Sequence, residues 1–350
     1  MVEWLAGNRI RGTSAEKPVL GLQSPSVGGW VEVARTTLGS SGSTIDVTSI
    51  PDKRYYMVLR NILTAGADVR EQFNSDTGSN YTRRYSANGG TDVTSVNDAR
   101  IGLNYSAGDK LIVDYISNLS SKEKLVSSFS SEEGTAGAGN APNRMEVVGK
   151  WANTSNPINE ISTALSGSSY DIGSEVVVLG WDPADTHTTN FWEELASVTT
   201  TGAGTSISSG TFTAKKYIWF QMYAPSGQSA IVDNFWVRFN GDSGSNYARR
   251  YSNNGGTDGT ATSDSKIQIS RNGKEGDFMS AFIINNSANE KLLISHSISV
   301  GDTLGAGAAP NRGEIVGKWT NTSSQITSIV VSANADSIPA GWTIKVWGSD

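Results

Sequence analysis

Short apolar runs, many with alternating polar positions, recur along the chain and are separated by turn-forming residues. Residues 44–47 and 55–62 carry mainly β-branched and aromatic side chains, a composition typical of strands. Further runs in the first half of the chain lie at 30–34, 100–105, 110–116, 124–129, 146–151, 158–161 and 175–180. Because the runs are short and turns such as Pro51-Asp-Lys interrupt them, the pattern predicts about eight to ten strands per 150 residues.

The second half of the chain repeats the first. Phe73–Asp92 and Phe239–Asp258 are identical at 16 of 20 positions, and Ala141–Ser155 and Ala309–Ser323 at 12 of 15. A period of this length indicates two copies of one folding unit. The domain boundaries that we predict are an N-terminal arm at 1–29, module 1 at 30–182, a linker at 183–191 and module 2 at 192–350.

The fold class predicted from this pattern is all-β, with two tandem homologous jelly-roll-like β-sandwich modules and an extended N-terminal arm. The 350 residues include 38 Gly and no Cys, so turns are abundant and disulfides are excluded. The net charge of −6 argues against nucleic-acid binding, which needs clustered Lys and Arg. No apolar run approaches the ~18 residues of a membrane span, and no secretory signal is visible.

The arm has no counterpart in the second copy. Trp4, Leu5 and Ile10 are the apolar residues that we expect to dock on a partner. A disordered tail is the other interpretation, since chain termini are often disordered. The Trp-Leu pair favours docking, because disordered segments are low in hydrophobicity.

Catalytic chemistry finds little support in the sequence. The chain has two His and no Cys, which argues against a catalytic triad, thiol catalysis and Cys-based zinc sites. His296 lies in an alternating apolar strand and is interpreted as a partly buried structural residue. We therefore expect a protein that is not an enzyme and has no catalytic residues and no cofactor.

The repeated segment contains a possible metal site. Asn74, Asp76 and Asn80 are spaced oxygen donors around Gly78, as in calcium loops. However, no acidic residue closes the loop. Tight turns explain the same residues, because Asp-x-Gly and Asn-Gly-Gly supply left-handed backbone positions. The turn interpretation is favoured, with calcium as the alternative.

Tyrosine and arginine alternate between these turns. The candidate binding residues are Tyr81, Arg83, Tyr85, Tyr247, Arg249 and Tyr251. In a strand, the three residues of each copy share one face. They suit glycan stacking or a protein interface, where these residue types are enriched. The alternative, which we favour, is that the tyrosines cover the edge of the core and an arginine pairs with a nearby carboxylate.

Several segments together resemble modules of known proteins. These are Trp30-Val-Glu-Val-Ala-Arg-Thr-Thr-Leu, Pro51-Asp-Lys-Arg-Tyr-Tyr-Met-Val-Leu, the Phe73 segment, Val148-Gly-Lys-Trp and Val176-Val-Val-Leu-Gly. They resemble β-sandwich modules in structural proteins of tailed viruses, of the capsid-decoration or tail-fibre type. The start of the arm, from Trp4 to Ser14, is similar to the start of such proteins. The resemblance brings no functional residues with it.

The resemblance implies a non-enzymatic virion structural protein, decorating or attached to the capsid or tail through its arm. Its partners would be other virion proteins and further copies of itself, and it would be assembled in the host cytoplasm. One alternative is a carbohydrate-binding adhesin or receptor-binding fibre protein that recognises a host-surface glycan. Another is a double-jelly-roll major capsid protein.

Overall fold

The fold is known from a computed structural model. The structure describes residues 29–350 except 65, 67, 184, 186–188, 226–231, 274, 275, 301–303 and 334–339. The described residues form strands, turns and irregular segments. Within them, no helix has the length and apolar character needed to cross a membrane.

Module 1 contains twelve described strands. They are β1 (Val31–Thr37), β2 (Thr44–Val47), β3 (Tyr55–Ile62), β4 (Val69–Phe73), β5 (Tyr81–Ala87), β6 (Val93–Asp98), β7 (Ile101–Gly102), β8 (Lys110–Ser117), β9 (Lys124–Glu132), β10 (Asn143–Trp151), β11 (Ile161–Leu165) and β12 (Glu175–Trp181). The large sheet has the order β1-β12-β3-β8-β9-β10-β5-β6, and the small sheet has the order β2-β11-β4-β7.

This strand order is that of a jelly roll into which two pairs of strands are inserted. Without β5, β6, β9 and β10, eight strands remain, and along the chain they alternate between the large and the small sheet except at β4 and β7, which both belong to the small sheet. The first, eighth, third and sixth of them form one sheet, and the second, seventh, fourth and fifth form the other, as in a jelly roll. The inserted pairs β9-β10 and β5-β6 then widen the large sheet on one side.

Module 2 repeats this architecture strand for strand. Its strands are β13 (Glu193–Thr199), β14 (Ser206–Thr211), β15 (Tyr217–Ala224), β16 (Val232–Phe239), β17 (Tyr247–Asn253), β18 (Gly259–Asp264), β19 (Ile267–Gly273), β20 (Asp277–Ile284), β21 (Lys291–Ser299), β22 (Asn311–Trp319), β23 (Ser328–Ala333) and β24 (Thr343–Ser349). Its sheets have the orders β13-β24-β15-β20-β21-β22-β17-β18 and β14-β23-β16-β19. The predicted all-β fold of two tandem jelly-roll-like modules is confirmed.

Two details of the predicted strands were wrong. Module 1 has twelve described strands rather than eight to ten, because β4 (Val69–Phe73) and β6 (Val93–Asp98) were not recognised. The run at 158–161 contributes only its last residue to β11, which begins at Ile161, and the run at 100–105 forms only the two-residue β7. Ile158 and Leu103 are nevertheless fully buried, so apolar character there reports on packing rather than on strand pairing.

The alternation seen in the sequence places every second strand residue between the two sheets. Tyr56, Val58 and Ile112 in module 1 join one core, and Ile218 and Phe220 in module 2 join the other. The side chains on the opposite face of each large sheet point away from its own core. In module 1 these include Met57, Leu59 and Leu111 in β3 and β8, and they form the surface described next.

A group of charged residues also lies in the core of module 1. The side chains of Arg60, Glu71 and Asp114 are fully buried, and Arg60 forms ion pairs with both carboxylates. The Arg60 Nε also donates to Thr163 Oγ1 at 3.1 Å. Burial raises the pKa of Glu71, while Arg60 opposes this effect.

Candidate functional site: the outer faces of the large sheets

The two large sheets face one another, and their outer faces form a third apolar cluster between the modules. We call this contact the module interface. Its buried apolar residues are Met57, Leu59, Leu111, Val113, Val177, Leu179, Phe191, Trp192, Tyr217, Ile284, Leu292, Ile294, Val316 and Trp347. With fourteen buried apolar residues, the module interface resembles the interior of a domain in composition.

Polar contacts surround the apolar part of the module interface. Arg144 donates to Asp258 at 2.8 and 3.0 Å, and the two side chains are 6% and 2% exposed. On the other side of the cluster, Glu175 accepts from Lys216 at 3.0 Å and from Tyr217 at 2.9 Å. Burial opposes ionisation of Glu175, but hydrogen bonds and nearby cations hold its pKa below the ordinary value.

His296 lies in the module interface, near Arg144 and Glu314. Its ring contacts the Phe129 ring edge-on, with 4.6 Å between centroids. Burial lowers the pKa of His296, and the nearby Glu314 only partly offsets this. The imidazole is therefore neutral near pH 7 and packs against an aromatic ring, in agreement with the predicted structural role.

Each outer face divides into two halves that are used differently. The lower half lies where β3 or β15 begins, and the upper half lies where these strands end. The upper half of module 1, with Leu59, Leu111, Val113 and Val177, covers the lower half of module 2, with Tyr217, Leu292 and Val316. The modules therefore contact each other through different halves of equivalent sheets, which is a heterologous contact.

Among the described residues, none covers the lower half of module 1. It forms a groove of about 550 Å³ whose walls are largely apolar. Its main lining residues are Trp30, Tyr55, Tyr115, Leu125, Val148 and Trp181. Leu125 is 56% exposed and Val148 is 55% exposed, and side chains of this kind grouped on one surface mark a binding site for an apolar partner.

The upper half of module 2 is also open. Tyr223, Phe278 and Ile298 are 47%, 43% and 56% exposed. Val300, just beyond the end of β21, is 38% exposed. The described residues therefore include two separate apolar surfaces, one on each module, on the faces that also form the module interface.

The repeated segment from Phe73 to Asp92 forms turns and a strand, as predicted. Asn74 and Ser75 occupy left-handed positions in the first turn, and Asn88 and Gly89 do so in the second. The carboxylate of Asp76 accepts from the Trp151 indole at 2.7 Å. Although its slight burial acts in the opposite direction, hydrogen bonds from Trp151, Asn80 and the backbone N–H of Gly78 lower the pKa of Asp76.

The predicted oxygen donors of the calcium alternative are used within this turn. The Asn74 side-chain oxygen accepts from the backbone N–H groups of Asn159 and Glu160, and the Asn80 amide donates to Asp76 at 2.9 and 3.1 Å. Within the described part of the chain, no group of three or more His, Asp or Glu residues is placed to hold a metal ion. The geometry thus gives Asn74, Asp76 and Asn80 the role of turn formers.

The candidate binding residues of β5 share one face, as predicted, but this face points into the sandwich. Tyr81 is fully buried, its ring stacks on Trp151, and its hydroxyl accepts from the Phe73 N–H at 2.9 Å. Arg83 donates to the Gly102 carbonyl at 2.8 Å and stacks on Tyr85. These contacts correspond to the core-edge interpretation rather than to a surface platform.

Module 2 repeats this arrangement with one difference. Tyr247 is fully buried, and Tyr251 packs against the core. Arg249 donates to Asp264 at 2.6 Å, which is the arginine–carboxylate pair expected in the core-edge interpretation. Arg249 also lies over the indole of Trp236, with 5.3 Å to the ring centroid.

At the position of Trp236, module 1 has Arg70, and a polar pocket of about 250 Å³ opens there. The equivalence follows from the strand pairing, since Glu71 pairs with Ile101 and Val237 pairs with Ile267. The pocket is lined mainly by Asp68, Arg70, Arg83, Ser95, Asp98 and Arg100. The sequence repeat carried a signal for this pocket, namely an arginine in one copy where the other has a tryptophan.

One sequence prediction lies outside the described residues. Trp4, Leu5 and Ile10, which we expect to dock the arm, belong to the undescribed residues 1–28. The docking role of the arm therefore stays a prediction.

The fold and its surfaces define an all-β protein of two tandem jelly rolls. No protein-family profile matches the chain, and no curated protein matches it. Among solved structures, it is similar to the mouse laminin alpha1 chain, domains LG4-5, at 9% identity over 93% of this chain and 92% of that chain, with a TM-score of 0.20. The STIV MCP has 10% identity over 89% of this chain and 97% of that chain, with a TM-score of 0.14. Neither likeness is close enough to carry an argument about function.

Proposed function

We propose that the protein is a non-enzymatic structural component of a virus particle, where it decorates the capsid or tail. The observation that carries this proposal is the pair of open apolar surfaces on the outer faces of the large sheets. Leu125 and Val148 on module 1 and Phe278 and Ile298 on module 2 are each at least 43% exposed. Exposed apolar surfaces of this kind suit protein assembly, because covering them releases water.

The buried charges are consistent with a structural role. Arg60, Glu71 and Asp114 are closed off between the two sheets of module 1, so no substrate reaches them. Asp277 is likewise only 1% exposed and bonds to Ser270 at 2.7 Å. Groups with perturbed pKa values serve catalysis when they line a cleft, whereas these groups lie in packed interiors.

In this proposal, residues 1–29 tether the protein to other virion proteins, and the particle is assembled in the host cytoplasm. Immunogold electron microscopy of purified particles, with antibodies against the two modules, tests the location. We expect gold on the capsid or tail, and loss of labelling when residues 1–29 are deleted. Labelling restricted to material outside particles would refute the proposal. Closed shells formed by the purified chain alone would favour a major capsid protein instead.

A second function, binding of an acidic carbohydrate, is favoured by the polar pocket of module 1. Arg70, Arg83 and Arg100 line it together with Asp68 and Asp98, and arginine pairs well with carboxylates. Arg70→Trp reproduces the side chain that fills the corresponding place in module 2, so this variant should bind no acidic oligosaccharide. Calorimetry with a uronate-containing oligosaccharide and a neutral one would test this, and equal heats from both sugars would exclude the pocket as the site.

A further inference from the structure

We propose that copies of this chain join head to tail, with the lower half of module 1 in one copy packed on the upper half of module 2 in the next. The contact would repeat the module interface between molecules. This inference deepens the proposed function by naming the partner of the open surfaces as a second copy of the chain.

The first argument is that equivalent positions are covered in one module and open in the other. Strand pairing sets the equivalence, because Tyr55 lies opposite Ser117 as Tyr217 lies opposite Ile284. On this basis Leu125 corresponds to Leu292. Leu125 is 56% exposed, whereas Leu292 is 1% exposed beneath module 1.

The same holds for the next strand and for the opposite half. Val148 is 55% exposed, and its counterpart Val316 is 3% exposed. In the upper halves, Phe278 is 43% exposed and its counterpart Leu111 is 1% exposed. The open lower half of module 1 is therefore equivalent to the lower half of module 2, which is covered within the chain. The open upper half of module 2 is equivalent to the upper half of module 1, which covers it.

The second argument is that the differences between the two contacts compensate in volume. The lower half of module 1 has Ser117 and Ser127 where module 2 has Ile284 and Ile294, and it forms a groove of about 550 Å³. The upper half of module 2 carries larger side chains than its counterpart in module 1.

In that upper half, Phe278, Ile298 and Tyr223 stand where module 1 has Leu111, Ser131 and Asn61. Larger side chains on one surface therefore meet a groove on the other. Volume matching of this kind is needed for a contact to reach the packing density of an interior.

The third argument is charge. Within the chain, Arg144 pairs with Asp258 at 2.8 Å. The counterparts are Arg312 on the upper half of module 2 and Asp92 at the edge of module 1, and their side chains are 59% and 55% exposed. Repetition of the module interface brings Arg312 to Asp92 of the neighbouring copy, so the contact would pair opposite charges beside the two apolar surfaces.

A heterologous contact leaves one uncovered apolar surface at each end of a row of associated molecules. The assembly therefore grows into a filament, or closes into a ring when the rotation between copies permits. If residues 1–28 of the same chain or a different virion protein filled the groove instead, the purified protein would stay monomeric in the experiment below.

The test measures the mass of the purified full-length chain by sedimentation velocity over a range of concentrations. The lower-half variant is Leu125→Glu with Val148→Glu, and the upper-half variant is Phe278→Glu with Ile298→Glu. We expect the wild-type mass to rise with concentration and each variant to remain monomeric. The dissociation constant of each variant should rise about a hundredfold, because carboxylates would be buried without partners. Ile172→Glu is the control, since Ile172 is 64% exposed and lies outside both surfaces.

Mixing the two variants gives the sharpest result. Each retains one intact half, so an equimolar mixture should form heterodimers and nothing larger. A mixture that stays monomeric while the wild type assembles would overturn the proposal. It would also be overturned if the lower-half variant were monomeric while the upper-half variant still assembled, because that result indicates a symmetric dimer. A wild type that is monomeric at all concentrations would also overturn it. That outcome leaves immunogold labelling of particles unaffected, so the failure of this inference can be told from failure of the proposed function.

Discussion

The ionic cluster in the core of module 1 has an apolar counterpart in module 2, and this suggests a direct exchange. The cluster consists of Arg60, Glu71, Asp114 and Thr163. At the equivalent places in module 2 are Met222, Val237, Ala281 and Val331, all of them at most 1% exposed. The same sandwich is therefore built once around buried charges and once around apolar side chains.

The perturbation replaces the cluster with its counterpart by Arg60→Met, Glu71→Val, Asp114→Ala and Thr163→Val. Exchange of a complete buried ionic group for apolar residues is neutral or stabilising by about 1–4 kcal/mol. Inclusion of Thr163 matters, because its hydroxyl bonds to Arg60 at 3.1 Å and would otherwise lose that partner at a cost of about 1–3 kcal/mol. We expect the quadruple variant to be at least as stable as the wild type.

The single variant Arg60→Met should behave in the opposite way. It leaves Glu71 and Asp114 buried without their cation, which costs about 3–5 kcal/mol. Burial already raises the pKa of Glu71, and removal of Arg60 removes the group that opposes this effect. Protonation then relieves part of the cost at low pH, so the loss of stability should be smaller at pH 5 than at pH 8.

Urea unfolding combined with peptide-resolved hydrogen exchange measures these effects. The two modules can unfold in separate steps, so exchange in β3 and β8 reports on module 1 while β15 and β20 serve as an internal reference. Met222→Arg in module 2 is the matched control, because it places a cation among apolar side chains. Equal destabilisation in the single and quadruple variants would show that the reasoning about unpaired charges is wrong.

Three further predictions concern other parts of the molecule. Burial raises the pKa of Asp277 from 3.8 to about 6. Asp277 therefore lowers the free energy of unfolding by about 3 kcal/mol as the pH rises from below 4 through 6. Asp277→Asn should remove most of that fall in urea titrations at pH 4 and 8. Asp76→Ala removes the acceptor of the Trp151 indole and should lower stability by about 1–3 kcal/mol in thermal unfolding, whereas a loss below 0.5 kcal/mol would contradict the structural role of this turn. Leu292→Glu buries a charge in the module interface and should separate the modules, which increases the radius of gyration in X-ray scattering, while its exposed counterpart Leu125→Glu should leave the radius of the monomer unchanged.

The strands and modules could be predicted because their signals are local. Alternation marks the residues of β2 and β3, and the two copies of the Phe73 segment define the period. Turn chemistry identified the left-handed positions at Asn88 and Gly89, since few residue types tolerate them. Each of these features depends on a few neighbouring residues rather than on contacts across the fold.

The direction of a strand face was harder to predict. Alternation shows that Tyr81, Arg83 and Tyr85 share a face, but it does not show whether that face is inside or outside. Both faces of β3 are apolar, because one lies in the core and the other in the module interface. Arg60 and Glu71 look like surface residues in the sequence, and only their apolar counterparts in module 2 indicate burial.

The exposed apolar residues of module 1 carry an argument that the core does not. Leu125 and Val148 correspond to Leu292 and Val316, which need to be apolar because they are covered within the chain. Nothing within the described structure of one molecule requires the same of Leu125 and Val148, and glutamate or lysine at either position would improve solubility. A surface that remains apolar while it faces water lowers the stability of the dispersed state. The burial of this surface by a partner therefore stabilises the assembled state. The upper half of module 2 in a second copy, which carries large apolar side chains, is such a partner.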